Sequence, residues 1–152
     1  MEVFKIARDP YAHKLIASGR SHRWNLDEQF IIYTASSRSL ASIELIVNLN
    51  TISPTMRYKV MVISVADEER LFTQILQTRL PSSWRSMSAY PQSQSIGSDW
   101  YQNKTSLILK VPSAIIPQEY NYLINTNHPD FKKEVTLVRT ENYFWDERLI
   151  KD

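Results

Sequence analysis

The chain has 152 residues, and its 18 Lys and Arg against 16 Asp and Glu give a net charge of +2, too small to announce a nucleic-acid binder. With 43% hydrophobic and 22% charged residues, it has the composition of a soluble globular domain, expected as one unit over residues 1–152. No cysteine is present, which excludes disulfides, a thiol nucleophile and zinc–thiolate sites, and the only glycines, Gly19 and Gly97, cannot build a glycine-rich phosphate loop.

Val3–Ala7 reads as a strand, and Asp9-Pro10 opens a turn or short helix running through Tyr11 to Ser18. The start Met1-Glu2-Val3-Phe4-Lys5 has no signal-peptide core, and no apolar run approaches the ~18 residues of a membrane span, so a cytoplasmic protein is expected. Gly19–Gln29 is a polar loop and Phe30–Ala35 a strand. Ser36 or Ser37 then caps a helix that reads from Ser37 to Leu49. Ser53-Pro54-Thr55 breaks the chain before the strand Met56–Val65, whose alternate residues Met56, Tyr58, Val60, Val62 and Ser64 share a face.

Asp67–Leu80 fits a short helix or an irregular connection. Within the polar stretch Ser82–Ser106, Pro91–Asn103 allows a helix that begins near Ser93 or Ser95. Thr105–Val111 is a strand stopped by Pro112, and Ile115-Ile116-Pro117 begins another extended piece. Asn125–Asp130 is turn chemistry throughout, Val135–Arg139 a closing strand, and Tyr143–Leu149 a segment that docks on it. Short strands with one clear helix between them predict an α+β (mixed α/β) domain with a mostly antiparallel sheet and flanking helices.

Three residues stand out chemically. Glu44 falls on the i, i+3, i+4, i+7 stripe Leu40, Ile43, Glu44, Val47, where an ionised carboxylate is costly unless a cation or hydrogen-bond donors meet it. Arg23, in Arg23-Trp24-Asn25 beside Arg20 and His22, is either a surface arginine or an anion clamp with fork geometry for phosphate. Tyr33, ending the run Phe30-Ile31-Ile32, is either a half-buried core tyrosine or a platform for a planar ring. Arg23 or Tyr33 folding back against Glu44 would satisfy the carboxylate. Ser113, next to Pro112, reads first as a turn serine, and no nucleophile elbow surrounds it. His13, His22 and His128 lack metal-ligand spacing, so no metal is expected, and Asp67-Glu68-Glu69 and Asp146-Glu147 read as solvated charge runs.

Several segments together resemble the RES domain, the toxin half of bacterial Xre–RES toxin–antitoxin modules. They are Arg23-Trp24-Asn25, Tyr33-Thr34-Ala35-Ser36, Ser39–Glu44, Leu80–Trp84, Gln94–Trp100, Val111–Ala114, Asn121–Asn125 and His128-Pro129-Asp130, in order and over nearly the whole chain. One departure is Ser21-His22, where the family has a glycine pair. The resemblance implies a fold like the ADP-ribosyltransferase toxins and an activity that consumes NAD+, with no metal. It places the catalytic and NAD-binding positions at Arg23, Tyr33, Glu44 and Ser113, with Trp24 and Asn125 also binding NAD+. Glu44 would stabilise the oxocarbenium ion formed when nicotinamide leaves, Arg23 would clamp the pyrophosphate, and Tyr33 and Ser113 would hold the nicotinamide-ribose end. Water as acceptor makes a glycohydrolase, phosphate a phosphorylase, and a protein side chain an ADP-ribosyltransferase.

An Xre-like helix-turn-helix antitoxin occluding a basic cleft around Arg20, Arg23 and Lys110, and a homodimer within the larger complex, are implied as well, without membrane or direct nucleic-acid binding. The rival expectations are a ribonuclease toxin using His22, and a non-catalytic binding module in which Arg23 and Glu44 form only a buried ion pair.

Overall fold

The computed structural model describes residues 1–49 and 52–150. Its strands are β1 (Glu2–Arg8), β2 (Ile31–Ala35), β3 (Tyr58–Val65), β4 (Phe72–Gln74), β5 (Ile108–Pro112), β6 (Tyr120–Asn125) and β7 (Val135–Tyr143). They form a seven-stranded sheet in the order β4-β5-β6-β2-β1-β3-β7, antiparallel except for the β4–β5 pair. With helices α1 (Arg38–Asn48), α2 (Tyr90–Asn103) and α3 (Phe131–Glu134), this is the expected α+β fold.

β3 is buried on both faces because alternation sends successive side chains to opposite sides of the sheet. Tyr58, Val60 and Val62 join one apolar cluster with Phe4, Ile6 and Leu40, while Met61, Ile63 and Val65 join another with Val3, Ile32 and Leu107. β1 pairs with β3 along its full length, from Glu2↔Ser64 to Arg8↔Tyr58, and β2 pairs with β6 from Ile31↔Asn125 to Ala35↔Asn121. Between β1 and β2, however, the register holds a single pair, Phe4↔Ala35. The sheet parts there, and the opening becomes the site.

α1 crosses this joint. The side chain of Ser37 accepts the Leu40 N–H at 3.0 Å, which resolves the cap in favour of Ser37, and Leu40 and Ala41 are buried against Phe4 and Ala35. The buried face runs along Leu40, Ala41, Glu44 and Leu45, not along the expected stripe: Ile43 and Val47 are exposed, at 37% and 62%. Glu44 is shared by both stripes, so the inference drawn from its position survives the change.

Other boundaries differ from expectation. α2 starts at Tyr90 and not near Ser93 or Ser95, because Pro91 occupies the first turn, where its missing N–H is no loss. Asp67–Leu80 holds two short 3-10 turns around β4, a three-residue strand whose place depends on parallel pairing with β5 and not on local pattern. The Asp9 segment is a single 3-10 turn, Asp9–Tyr11. Ile115-Ile116-Pro117 is bent rather than extended, and β6 begins at Tyr120. β7 runs on to Tyr143, and beyond it Trp145 packs edge-on against Tyr58 and Tyr143 at 5.6 and 5.0 Å. No helix among the described residues is long and apolar enough to cross a membrane.

The Ser37 cap separates two otherwise equivalent serines. Ser37→Ala should cost about 1 kcal/mol in urea unfolding, and Ser36→Ala should stay within about 0.5 kcal/mol of the parent. Equal effects of the two changes would refute the cap.

Candidate active site

Between the parted strands lies a cavity of about 610 Å³, walled by β1, β2, the Glu44 turn of α1 and the His22–Trp24 loop. Glu44 is the only acidic residue among the described residues that line it. Its Oε1 accepts two hydrogen bonds, from Ser113 Oγ at 2.9 Å and Asn121 Nδ2 at 2.7 Å. The Ser113 hydroxyl is itself fixed. It accepts the Ile115 and Ile116 N–H groups, both at 3.1 Å, so its one proton goes to Glu44. Ser113 is therefore the turn serine that its neighbour Pro112 suggested and, with the same oxygen, a partner of the carboxylate. Oε2 of Glu44 has no hydrogen-bond partner among the described residues. One oxygen is clamped while the other stays available.

Arg23 does not reach Glu44. Its Nη1 donates to the Trp84 carbonyl at 2.8 Å and its Nη2 to the Arg85 carbonyl at 3.0 Å, and the guanidinium lies 4.6 Å from the Tyr90 ring centre. The buried Arg23–Glu44 ion pair required by the binding-module reading is thus absent, and donors from Ser113 and Asn121 take its place. Arg23 still lines the cavity, with part of its donor fork committed to the backbone.

Tyr33 also lines the cavity, yet its hydroxyl turns to the loop. It donates to Asn25 Oδ1 at 2.7 Å and accepts the Trp24 N–H at 3.1 Å. Burial lifts the phenol well above its ordinary range, so it remains a donor. The His22 ring meets the Tyr33 ring edge-on at 5.3 Å, and burial followed by the positive charges of Lys5 and Arg20 holds this imidazole below its usual range.

Trp24 is 2% exposed, and its ring belongs to the core with Trp84 and Leu109, so the loop's contribution to the cavity passes mainly through its neighbours. Asn125 is not part of the cavity wall. It is fully buried, donating to the Tyr101 carbonyl and accepting the Asn127 N–H. Asn121 takes the position expected of it: the two lie four residues apart on β6, ~13 Å at ~3.3 Å per residue, and only Asn121 is level with Ala35 and α1. The expectation named Asn125 alone, and only the β2–β6 register shows that Asn121 is the asparagine beside Glu44.

The predicted basic cleft changes composition too. Lys110 is turned onto the Tyr120 and Tyr122 rings, at 4.3 and 5.8 Å, and neither it nor Arg20 lines the cavity. Lys5, which the sequence reading passed over, does. A lone charged residue between Phe4 and Ile6 in an apolar strand was the available signal. His13 pairs with Asp9, and His128 Nδ1 accepts the Asp130 N–H. No group of three metal-ligating side chains occurs among the described residues.

The loop that bears Arg23 is stiff despite Ser21-His22. His22 and Asn25 exchange backbone hydrogen bonds at 3.2 and 3.3 Å, the Asn25 amide donates to the Arg20 and Leu26 carbonyls, and Gln94 on α2 donates to the carbonyls of His22 and Asn25. Gly97 seats this loop: a Cβ there would lie 1.7 Å from the Trp24 carbonyl oxygen. Only glycine lets α2 approach so closely.

The α+β fold thus has a parted sheet with a clamped carboxylate in the opening. The RES domain family model matches residues 2–146, and the chain belongs to that family. It is 36% identical over 130 residues to the Prs ADP-ribosylating toxin of Sphingobium sp. strain YBL2, covering 85% of this chain and 80% of that one. It is 33% identical over 127 residues to the toxin Res of Yersinia enterocolitica, covering 84% and 82%. The crystal structure of the MbcT–MbcA toxin–antitoxin complex of M. tuberculosis contains a similar fold, with a TM-score of 0.73 at 15% identity over 93% of this chain and 83% of that one.

Gly97→Ala tests the seat of the loop. In an ordinary helix this change gains about 1 kcal/mol. Here it should instead cost 1–3 kcal/mol or more, by the usual penalty of about that size for overpacking, and lower the melting temperature. A variant as stable as the parent would rule out the close contact.

Proposed function

We propose that this chain is the toxin of a toxin–antitoxin module and that it cleaves the nicotinamide–ribose bond of NAD+. The observation that carries the proposal is the Glu44 carboxylate, held on one oxygen by Ser113 and Asn121 and lining the cavity with the other uncommitted. In the reaction the C1′–N bond breaks and its electron pair leaves on the nicotinamide nitrogen, which is already cationic and needs no acid. Positive charge then develops on the ribose. A carboxylate fixed beforehand on a helix stabilises that charge with little reorganisation, and its free oxygen can accept the 2′-hydroxyl proton in a hydrogen bond. Tyr33 and the Arg23 loop shape the wall opposite α1. Attack at C1′ by water makes the protein an NAD glycohydrolase and attack by phosphate a phosphorylase; the acceptor's proton is lost to solvent in either case.

A second reading has a specific basis. The Sphingobium relative bears the name of an ADP-ribosylating toxin, and the same pocket could transfer ADP-ribose to a protein side chain. In either reading an Xre-like helix-turn-helix antitoxin keeps the enzyme silent by covering the cleft, whose wall includes the exposed Tyr11, Ile16 and Val47. The complex from M. tuberculosis, in which a toxin of similar fold is bound to its antitoxin, supports an antitoxin as the partner. Toxin homodimers would form within the larger assembly.

The test is nicotinamide release from NAD+ by the purified, antitoxin-free chain, with and without phosphate, beside Glu44→Gln. The variant should lose about 100-fold or more in turnover, the scale of losing a transition-state electrostatic contact, while binding NAD+ within about threefold of the parent. Full turnover by Glu44→Gln would remove the carboxylate from the mechanism. Release only when a target protein is added would select the transferase reading.

A further inference from the structure

We propose that Arg85 is a positioning residue that, from outside the cavity, latches the Ser113–Ile116 turn and so keeps the Ser113 hydroxyl on Glu44, a role that rests on the NAD+ reading above. Arg85 is exposed and absent from the cavity wall, whereas its partners Ala114 and Ile115 line it. Its Nε donates to the Ala114 carbonyl at 2.7 Å and its Nη2 to the Ile115 carbonyl at 3.4 Å. The arginines that form ion pairs among the described residues are Arg38, Arg70, Arg139 and Arg148, so no acid competes with those two carbonyls for the Arg85 fork.

The choice of carbonyls matters because a peptide unit is planar, and turning its carbonyl turns the N–H on its other side. The Ala114 carbonyl shares a peptide unit with the Ile115 N–H, and the Ile115 carbonyl shares one with the Ile116 N–H. Those are the two N–H groups that donate to Ser113 Oγ, both at 3.1 Å. Arg85 thus holds the outer end of each plane whose inner end holds the serine. With both N–H groups in place, the single proton of Ser113 is directed to Glu44 Oε1 at 2.9 Å. A swing of either plane would free the hydroxyl to rotate and release one of the two donors on the carboxylate.

The rest of the turn leaves that freedom open. Its base is closed by the Ser113 N–H donating to the Glu119 carbonyl and the Glu119 N–H to the Ile116 carbonyl, both at 2.9 Å, but no backbone donor among the described residues meets the Ala114 or Ile115 carbonyl. The latch is itself anchored. Arg23, in the cavity wall, donates to the Trp84 and Arg85 carbonyls at 2.8 and 3.0 Å, and the buried Trp84 ring seats that segment in the core. One arginine sets the backbone from which the other reaches the turn. Both bonds of Arg85 lie at the surface, so water can replace them at small cost in stability. Position would be lost before stability.

The experiment compares the parent, Arg85→Met, Arg85→Lys, Ser113→Ala and the double variant Arg85→Met/Ser113→Ala in the full chain, with thermal melting as the control for folding. Amide hydrogen exchange followed by NMR reads the latch directly. Arg85→Met should speed exchange of the Ile115 and Ile116 amides about tenfold and leave those of Leu109 and Leu123 unchanged. In nicotinamide release from NAD+ it should lower kcat about tenfold with KM within about threefold of the parent, because it misplaces a group that acts on the transition state. Arg85→Lys, which keeps a cationic donor, should retain more of the turnover. In the Ser113→Ala background, Arg85→Met should change kcat by less than about twofold, since the residue it acts through is gone. A folded Arg85→Met with parental exchange, one with the turnover of an active parent, or losses that multiply in the double variant would overturn the latch. Should exchange rise at those two amides while the parent releases no nicotinamide, the NAD+-cleavage reading fails and the latch stands.

Discussion

The single backbone pair Phe4↔Ala35 is the constraint from which the site follows. β1 is bound to β3 along its length and β2 to β6 along its own, so each half of the sheet is complete without the other. Past the pair, the facing edges of β1 and β2 diverge, and their backbone groups border a cavity instead of a neighbouring strand. Such a joint would be weak alone. α1 lies across it, burying Leu40 and Ala41 against Phe4 and Ala35, and Arg38 stacks on the Phe4 ring at 4.5 Å while making a bidentate pair with Glu141 on β7. The helix that closes the joint is also the helix that carries Glu44. Stability and chemistry are thus coupled through a few residues of one element.

That coupling explains how a carboxylate can stand where the helix should be apolar. The contribution of Ser113 and Asn121 is directional: two donors meet the same oxygen, so the carboxylate cannot rotate without losing both. An arginine partner would have neutralised the charge and weakened its effect on a developing cation. Neutral donors orient the group and leave its charge unneutralised. Ser113 and Asn121, and not Arg23, therefore meet the carboxylate, which keeps its negative charge.

Much of this was legible in the sequence because local rules decided it. A serine cap at 36 or 37, the apolar β2 and β3 and the conflict at Glu44 follow from side-chain type and period, and of the residues the RES resemblance singled out, Arg23 and Tyr33 line the cavity and Ser113 donates to Glu44. What stayed hidden depends on register. Asn121 and Asn125 are the same residue type in one strand, and only pairing with β2 tells which of them is level with α1. Lys5 reads as a stray charge until β1 is known to lose its partner. The three-residue β4 and the Pro91 start of α2 depend on tertiary pairing and on cap position, which periodicity does not encode.

The Ser21-His22 departure shows a similar division of labour. A glycine pair gives a loop freedom to approach a ligand, yet here the loop is fixed by other means: Gln94 and the Asn25 amide satisfy its carbonyls, and Gly97 provides the close approach from the helix side. The glycine that intimate packing needs here lies on the helix surface that receives the loop. In exchange, the loop gains an imidazole at the cavity edge, held near neutrality beside Lys5 and Arg20. A neutral ring there adds a hydrogen-bonding group without adding repulsion to an already positive corner. The substitution therefore leaves the positive corner near β1 no more crowded with charge, across the cavity from Glu44, the one carboxylate among the described lining residues.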